Sequence, residues 1–471
     1  MTRSPDDVLA ELAAMRATDP PTHGGRILAY VYDSGRADLD RLAEQAATAF
    51  LPVNGLDPTT FRSVATLESS LVGRARDLFH GDDDVVGSVT SGGTESCLLA
   101  VKAARELWRA ADPARSHARA AIVLPTTAHP AFHKAAQYLD LDVVAVPVSV
   151  ESGRAEAAAL LAALDELGER AALVVVSAPS YPFGVIDPVT EVAAGASARG
   201  VACHVDACVG GWVLPWWGEL DAWDFAVPGV TSISADLHKY GYAPKGASVV
   251  LHRGRERHAA QYFATTAWPG YPVVNPTVLG SRAAGAMAAA WAIGEALGDS
   301  GYAELVARTR SAADTLRTAA DAIPGLRVVG SPTGPLLALA DDGGVDPFRL
   351  VDALRRHGWL AQSQPAMTQP DGTVLPRTAH LTLTAVSDSI AADLAASLVQ
   401  AADEVRGVPA ADPDPGLVAR VLTEGLPDEL AGVMSTLEAL PGEVVRPALV
   451  QVLQAAIDPA RSNQTRTRPP E

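Results

Sequence analysis

The sequence predicts an α/β protein with a large, mainly parallel sheet and a smaller α+β domain after it. Three observations carry this. From about residue 85 to 250, short apolar runs alternate with helical segments. Runs such as ALVVVSAP and VACHVDA are continuously apolar instead of alternating, as strands are when helices cover both faces of their sheet. The chain has 471 residues, 48% of them apolar, which is enough for more than one core.

Taken in order, residues 1–80 read as an N-terminal helical arm, with RLAEQAATAF helical and LPVNGLDPTTF irregular through its Pro and Gly. Residues 81–294 form the large domain. In it VVGSVTS is a strand, TESCLLAVKAARELWRA a helix, AAIVLP a strand, HPAFHKAAQYL a helix and DVVAVPV a strand, followed by a long Ala/Leu helix around 154–170. The runs ALVVVSAP, VACHVDA, TSISAD and ASVVLHR are further strands, and DPVTEV opens the helix between the first two. Residues 295–408 form the small domain, with LRVVGS, LLALAD and HLTLTAV as strands and DPFRLVDALRRHG as a helix. Beyond the linker ADPDPG, residues 409–471 read as a helical tail around 416–457 and a disordered end, SNQTRTRPPE.

Composition narrows the function. A formal charge of -18 gives no basic footprint for nucleic acid or an anionic membrane. No run reaches the roughly 20 apolar residues that span a bilayer, and the first residues lack an export signal. The three cysteines are too few for a disulfide framework and suit a reducing compartment, so a cytoplasmic enzyme of small molecules is expected. Among 37 basic residues only four are lysines: Lys102, Lys134, Lys239 and Lys245. Lys102 and Lys134 read as helix-surface residues. Lys239 and Lys245 cluster in HKYGYAPKG, where an amine nucleophile has a use that arginine does not serve.

Three constellations carry chemistry. Ser91-Gly92-Gly93-Thr94-Glu95-Ser96 joins a strand end to a helix start; its glycines, free amides and hydroxyls suit a phosphate, although a Thr94-capped turn would read the same. His204-Val205-Asp206-Ala207 puts a carboxylate at the C-terminal end of a strand, where α/β sheets bind ligands and where it could keep a pyridine nitrogen protonated. The rival, a metal held by Cys203, His204, Asp206 and Cys208, is disfavoured because one strand points alternate side chains to opposite faces. Ser234-Ala235-Asp236-Leu237-His238-Lys239 puts an amine on a loop leaving a strand, in reach of a cofactor aldehyde. His129 follows another strand, placed to stack on a flat ring or to cap the helix.

TSGGTES, TTAHPAFHKAA, SAPSYPFGVIDP, HVDACVGGW, SISADLHKYGYAPKG and NPTVLGSR, in that order, resemble the successive motifs of sphingosine-1-phosphate lyases, within the pyridoxal-dependent (group II) decarboxylases, over about residues 25–400. The resemblance implies the aminotransferase-like fold type I and pyridoxal 5'-phosphate held by Lys239 as a Schiff base. It further implies Asp206 against the pyridinium nitrogen and His129 on the ring. Ser91, Gly93, Thr94 and His238 would lie at the phosphate. Ser281 would serve a neighbouring subunit's cofactor in a homodimer with shared active sites. Tyr32, Asn54, Tyr181 and Lys245 would line the substrate side, with Lys239, His129 and Tyr181 catalytic. One departure stands out: the lyases carry Asn-Pro-Leu-His where this chain reads Asn54-Gly55-Leu56-Asp57, so an anion replaces a phosphate-receiving histidine. The implied activity is retro-aldol cleavage of a small amine or amino acid. The alternatives are amino-acid decarboxylation, then transamination, and a non-catalytic binding protein of the same fold.

Overall fold

The computed structural model describes residues 3–414 and 416–459. Helix α1 (Pro5–Arg16) is capped by Ser4, whose Oγ accepts the Asp7 amide at 3.1 Å, and buries no side chain. Helices α2 (Ala37–Ala49) and α3 (Arg62–Leu78) follow. Leu39, Ala43, Val64, Leu67, Leu71 and Ala75 on these two helices join the core of the main sheet, so residues 1–80 are part of the core as well as an arm. The segment between the helices, which contains LPVNGLDPTTF, is irregular.

The alternating region then runs β1 (Val85–Thr90), α4 (Gly93–Ala110), β2 (Ala121–Pro125), α5 (Ala131–Leu139), β3 (Asp142–Val146), α6 (Ala157–Leu167), β4 (Ala171–Ser177), α7 (Val189–Ala198), β5 (Ala202–Asp206), β6 (Val230–Ala235) and β7 (Ser248–Arg253). These strands form one seven-stranded sheet in the order β1-β7-β6-β5-β4-β2-β3. Pairing is parallel from β3 to β6, and β7 runs antiparallel to both of its neighbours. Every residue of β2, β4 and β5 is buried, which is why these strands read as unbroken apolar runs.

Register decides where the site lies. Ser177 pairs with Asp206 and Asp206 with Ser234, so β4, β5 and β6 end at one edge. Thr90 and Ala235 meet Ser248 and Val249 at the start of β7, which brings the ends of β1 and β6 to the same edge.

Next come α8 (Arg255–Ala260), a hairpin of β8 (Phe263–Thr265) and β9 (Val273–Asn275), and α9 (Gly285–Asp321). Helix α9 breaks at Gly298, where φ is 54° and no heavy atom lies within 4 Å of a Cβ position; only glycine adopts that backbone without strain. The part before the kink supplies Met287 and Ile293 to the main core, as does Leu305 just after it, and the C-terminal part supplies Ala312, Leu316 and Ala320 to the next one.

That second core lies against an antiparallel sheet of β10 (Leu326–Val328), β11 (Leu336–Asp341), β12 (Gln362–Gln364) and, after the short hairpin β13 (Met367–Thr368) and β14 (Val374–Leu375), β15 (Thr378–Thr382), in the order β10-β11-β15-β12. Helices α10 (Pro347–Arg356) and α11 (Ala391–Val405) cover it. The tail holds α12 (Leu417–Glu424), α13 (Ala431–Ala439) and α14 (Gly442–Ile457). Asp352 on α10 caps α13, accepting the Leu430 and Ala431 amides at 2.8 Å each. The end read as disordered, SNQTRTRPPE, lies outside the described residues. No helix among the described residues is long and apolar enough to cross a membrane.

Candidate active site

The site grows from three strand ends that buried hydroxyls hold together. Thr90 Oγ1 is 2.7 Å from Ser96 Oγ, Ser96 Oγ is 2.9 Å from Ser248 Oγ, and Ser248 donates to the Ala235 carbonyl at 3.1 Å. This chain ties the start of α4 to the loop that carries Lys239. Glu95, in the first turn of α4, accepts the Ser91 amide at 2.6 Å and the Val278 amide at 2.7 Å, fixing the loop before the helix. Sequence reading missed Ser248 and these uses of Glu95 and Ser96, which depend on Val278 and Ser248 being folded alongside.

Lys239 does not contact Asp206. Its Nζ lies 2.8 Å from Asp236 Oδ2, and Asp236 is 2% exposed. Burial disfavours the charged amine, but Asp236, Tyr32 and Cys208 outweigh it and hold Lys239 well above the usual lysine value. Burial would also raise Asp236, yet Lys239 and then His238 carry it below the usual carboxylate range. A Cβ on Gly93 would sit 2.8 Å from both Asp236 oxygens and from Cys208 Sγ, so glycine is required for α4 to approach this closely. Ser91 and Thr94 are exposed at the mouth of the helix. His238 closes the cradle: its Nδ1 accepts the Ala247 amide at 3.3 Å, and its Cε1 would be 3.2 Å from a Cβ on Gly92.

Asp206, at the end of β5, accepts the Cys208 amide at 3.0 Å and sits 3.4 Å from Ser234 Oγ. His129 caps α5 and faces the same cluster: Nδ1 accepts the Ala131 amide at 3.2 Å, burial keeps the ring neutral, and Asp206 and Lys239 both act on it. Both functions that sequence reading left open for His129, cap and site residue, are thus compatible.

Tyr32, Tyr181 and Lys245 close the other side. Lys245 Nζ lies 4.5 Å from the centre of the Tyr32 ring and donates to the His238 carbonyl at 3.2 Å. Burial of its ammonium, and then the charge of Lys239, lower it to about 8. Burial pushes Tyr32 up to about 12 and raises Tyr181. The small sheet reaches in here: Tyr181 donates to Gln362 Oε1 at 2.6 Å, His380 Nε2 is 3.0 Å from the Tyr181 carbonyl, and Tyr240 donates to the Leu383 carbonyl at 2.6 Å.

Asn54 and Ser281 pair with each other, and Asp57 is held within its own loop. Asn54 donates to Ser281 Oγ at 3.3 Å, and Asp57 accepts from the hydroxyls of Thr59 at 2.6 Å and Thr60 at 2.8 Å, which hold it at about 2. Among the described residues none of the three contacts Lys239 or Asp206. Asp57 instead borders an open groove of about 1320 Å³ with Glu68, His258, Tyr271 and Arg282. In the GSR motif the sequence reading picked Ser281 and missed Arg282, which forks onto Glu68 and also reaches the Val89 and Gly55 carbonyls.

Two other readings change. Lys102 is not a plain surface residue: its Nζ donates to the Ala260 and Tyr262 carbonyls at 2.8 and 2.9 Å, closing the end of α8. His204 and Asp206 share a face of β5, and the group whose ligand atoms fall within 4.8 Å is Cys97, Asp206 and Cys208. The Cys208 thiol is driven up by its hydrogen bond with Cys97 and then by burial.

The geometry fits pyridoxal 5'-phosphate: an anion cradle at α4, a carboxylate at the foot of the site, an imidazole wall and one amine within the cluster. Comparison with known proteins agrees. The family model described as the pyridoxal-dependent decarboxylase conserved domain matches residues 49–268. The sphingosine-1-phosphate lyase of Dictyostelium discoideum is 34% identical over 360 residues, 75% of this chain and 66% of that protein. The lyase of Saccharomyces cerevisiae is 30% identical over 93% of this chain and 74% of its own. The chain thus matches only about two thirds of the length of several curated relatives. Among solved structures, a Burkholderia pseudomallei sphingosine-1-phosphate lyase superposes with a TM-score of 0.78 at 33% identity, covering 86% of this chain and 92% of that one. A Lactobacillus brevis glutamate decarboxylase shares the fold, fold type I, with a TM-score of 0.73 at 21% identity.

Proposed function

This chain is a sphingosine-1-phosphate lyase-like member of the pyridoxal-dependent decarboxylase family, and from that premise we propose that it is a carbon-carbon lyase that releases an aldehyde from a small amine or amino acid by retro-aldol cleavage. The observation that supports this best is the joining of Lys239, Asp206, His129 and the Gly93 cradle at one sheet edge, with Tyr32, Tyr181 and Lys245 facing them. When bound, pyridoxal 5'-phosphate accepts the electron pair of the bond broken at the amine-bearing carbon.

The chain's own residues supply the rest. Ser91, Gly93, Thr94 and His238 hold the phosphate at the start of α4. Asp206 would keep a proton on the ring nitrogen and His129 would cover the ring face. Tyr181 stays a protonated phenol, because burial raises it, so it and Lys239 can return a proton to the substrate carbon. Lys245 is cationic below about pH 8 and offers an anionic substrate group a partner. Asn54, Asp57 and Ser281 stand apart from this cluster, which supports a homodimer in which they complete the partner's site. The net charge of -18 argues against a nucleic-acid partner, and the three sparse, free cysteines support a cytoplasmic setting. The domain reading holds Lys239 on the 81–294 unit and Gln362 on the 295–408 unit, so the substrate sits between them.

Asp57 favours a second reading. A carboxylate held at about 2 repels a phosphate, which suits an amino-acid decarboxylase acting on a substrate without one. The deciding experiment offers cofactor-loaded protein a panel of L-amino acids, β-hydroxy amino acids and phosphorylated amino alcohols, with products read by mass spectrometry and Lys239→Ala as the control. Aldehyde that depends on Lys239 supports the lyase; amine with carbon dioxide overturns it in favour of the decarboxylase.

A further inference from the structure

Asp236 directly follows β6 and has no part in the scheme above, yet it is the group that Lys239 touches. We propose that Asp236 is the counter-ion that receives Lys239 whenever its amine is not bonded to the cofactor, so that the free amine acts as a fixed proton donor and not as a base toward the substrate. This rests on the pyridoxal-enzyme reading of the site.

The seat is rigid. Asp236 is 2% exposed, its Oδ2 lies 2.8 Å from Lys239 Nζ and 3.6 Å from His238 Nε2, and its Oδ1 is buried without a hydrogen-bond partner. A Cβ on Gly93 would lie 2.8 Å from both oxygens, so glycine at that position is what leaves the carboxylate its place beside α4. The other titratable groups that interact with the pair are Tyr32, Cys208, Lys245, His129, Tyr181 and Cys97. A buried carboxylate deprived of its cation is costly, so the amine is drawn back to it each time it is released.

The chemistry follows from where the lone pair is. An amine that abstracts a proton needs a free pair; an ammonium fixed to Asp236 has none. It can only give: the proton leaves Nζ for the substrate carbon that holds the electron pair of the broken bond, and the neutral amine is then able to bond to the cofactor again. Removal of hydrogen from the amine-bearing carbon, the opening step of transamination, is thereby suppressed, and loss of a carbon substituent remains.

The test uses Asp236→Asn, which keeps the size and removes the charge. In cofactor-free protein, Lys239 is reductively methylated with formaldehyde and cyanoborohydride across a pH series and quantified by peptide mass spectrometry, with Lys134 as internal control. The midpoint for Lys239 falls by at least one pH unit in Asp236→Asn, while that of Lys134 stays put. A second measurement guards against misfolding: Lys239→Ala melts below the wild type, and Lys239→Ala/Asp236→Asn melts above Lys239→Ala. With cofactor bound, propylamine in heavy water exchanges its α-hydrogen several-fold faster in Asp236→Asn. An unmoved midpoint, or a double variant no more stable than Lys239→Ala, overturns the counter-ion; unchanged exchange overturns its effect on the reaction. If the loaded wild type yields neither aldehyde nor carbon dioxide from any substrate, the lyase reading falls while a shifted midpoint still supports the pairing.

Discussion

His204 and Asp206 lie two residues apart on one face of β5, and Ser234 Oγ reaches both, 3.2 Å from His204 Nε2 and 3.4 Å from Asp206 Oδ1. Ser232 holds the other ring nitrogen at 2.9 Å. With a single hydroxyl proton, Ser234 can give to Asp206 when His204 Nε2 gives to Ser234. Ser234→Ala removes that link and leaves Asp206 with the Cys208 amide alone. A lost hydrogen bond to a charged group is worth about 1.5 kcal/mol, so the dissociation constant for pyridoxal 5'-phosphate rises roughly tenfold in fluorescence titration of the cofactor-free protein. An unchanged constant would show that Asp206 does not depend on Ser234.

Arg282 is expected to matter for stability before activity. Its Nη1 and Nη2 lie 3.0 and 2.8 Å from the two Glu68 oxygens, and it also binds the Gly55 and Val89 carbonyls. Arg282→Met leaves Glu68 half-buried without its cation and costs about 3 kcal/mol in urea unfolding. Adding Glu68→Gln recovers part of that loss; if it recovers nothing, the cost lies in the two carbonyl contacts.

Acid sensitivity follows from buried histidines. Burial lowers His204 and His380 to about 4 and His252 to about 3, each below an ordinary histidine. The unfolded chain therefore binds up to three more protons than the fold as pH drops from about 6.5, and stability is lost through that fall. Asp187 works the other way: burial raises it to about 6, so the fold gains a proton before the unfolded chain does. Counted over these four groups the net is about two protons, roughly 3 kcal/mol per pH unit between about pH 6 and 4, and the lowering of His129, His133, His238 and His258 by burial adds in the same direction. Urea midpoints across this range check it; a flat profile contradicts it.

Lys245 sets a second pH dependence, on binding. It is lowered to about 8, so its charge is present below that pH and disappears above it. For an anionic substrate KM rises as pH passes about 8 while kcat changes little, and Lys245→Gln shows a high KM that no longer varies over this range. Steady-state kinetics from pH 6.5 to 9.5 decide; a KM rise that persists in the variant assigns it to another group.

What could be read in the sequence was the chemistry carried by residue type next to a local signal. Lys239, Asp206, His129 and Gly93 each stand at the end of an apolar run, where strand direction alone puts them at the ligand edge. Glu95, Ser96, Ser248 and Arg282 each also need a partner more than 150 residues away, and no local pattern announces a partner of that kind. Asp236 was visible in its motif but acquires its meaning from Lys239 being folded back onto it. The hairpins at 263–275 and 367–375 have strands of two or three residues, too short to show a period. The capping of α13 by Asp352 likewise depends on α10 being brought alongside it.

Helix α9 passes from one core into the other, broken only at the kink at Gly298. A chain so joined resists dissection. Cut before residue 285, the first fragment loses the Met287, Ile293 and Leu305 side chains that complete its interior; cut after residue 321, it carries Ala312, Leu316 and Ala320 with nothing to cover them. Neither half is a natural unit for separate expression, and shuffling of modules between relatives would have to carry the whole helix or fail.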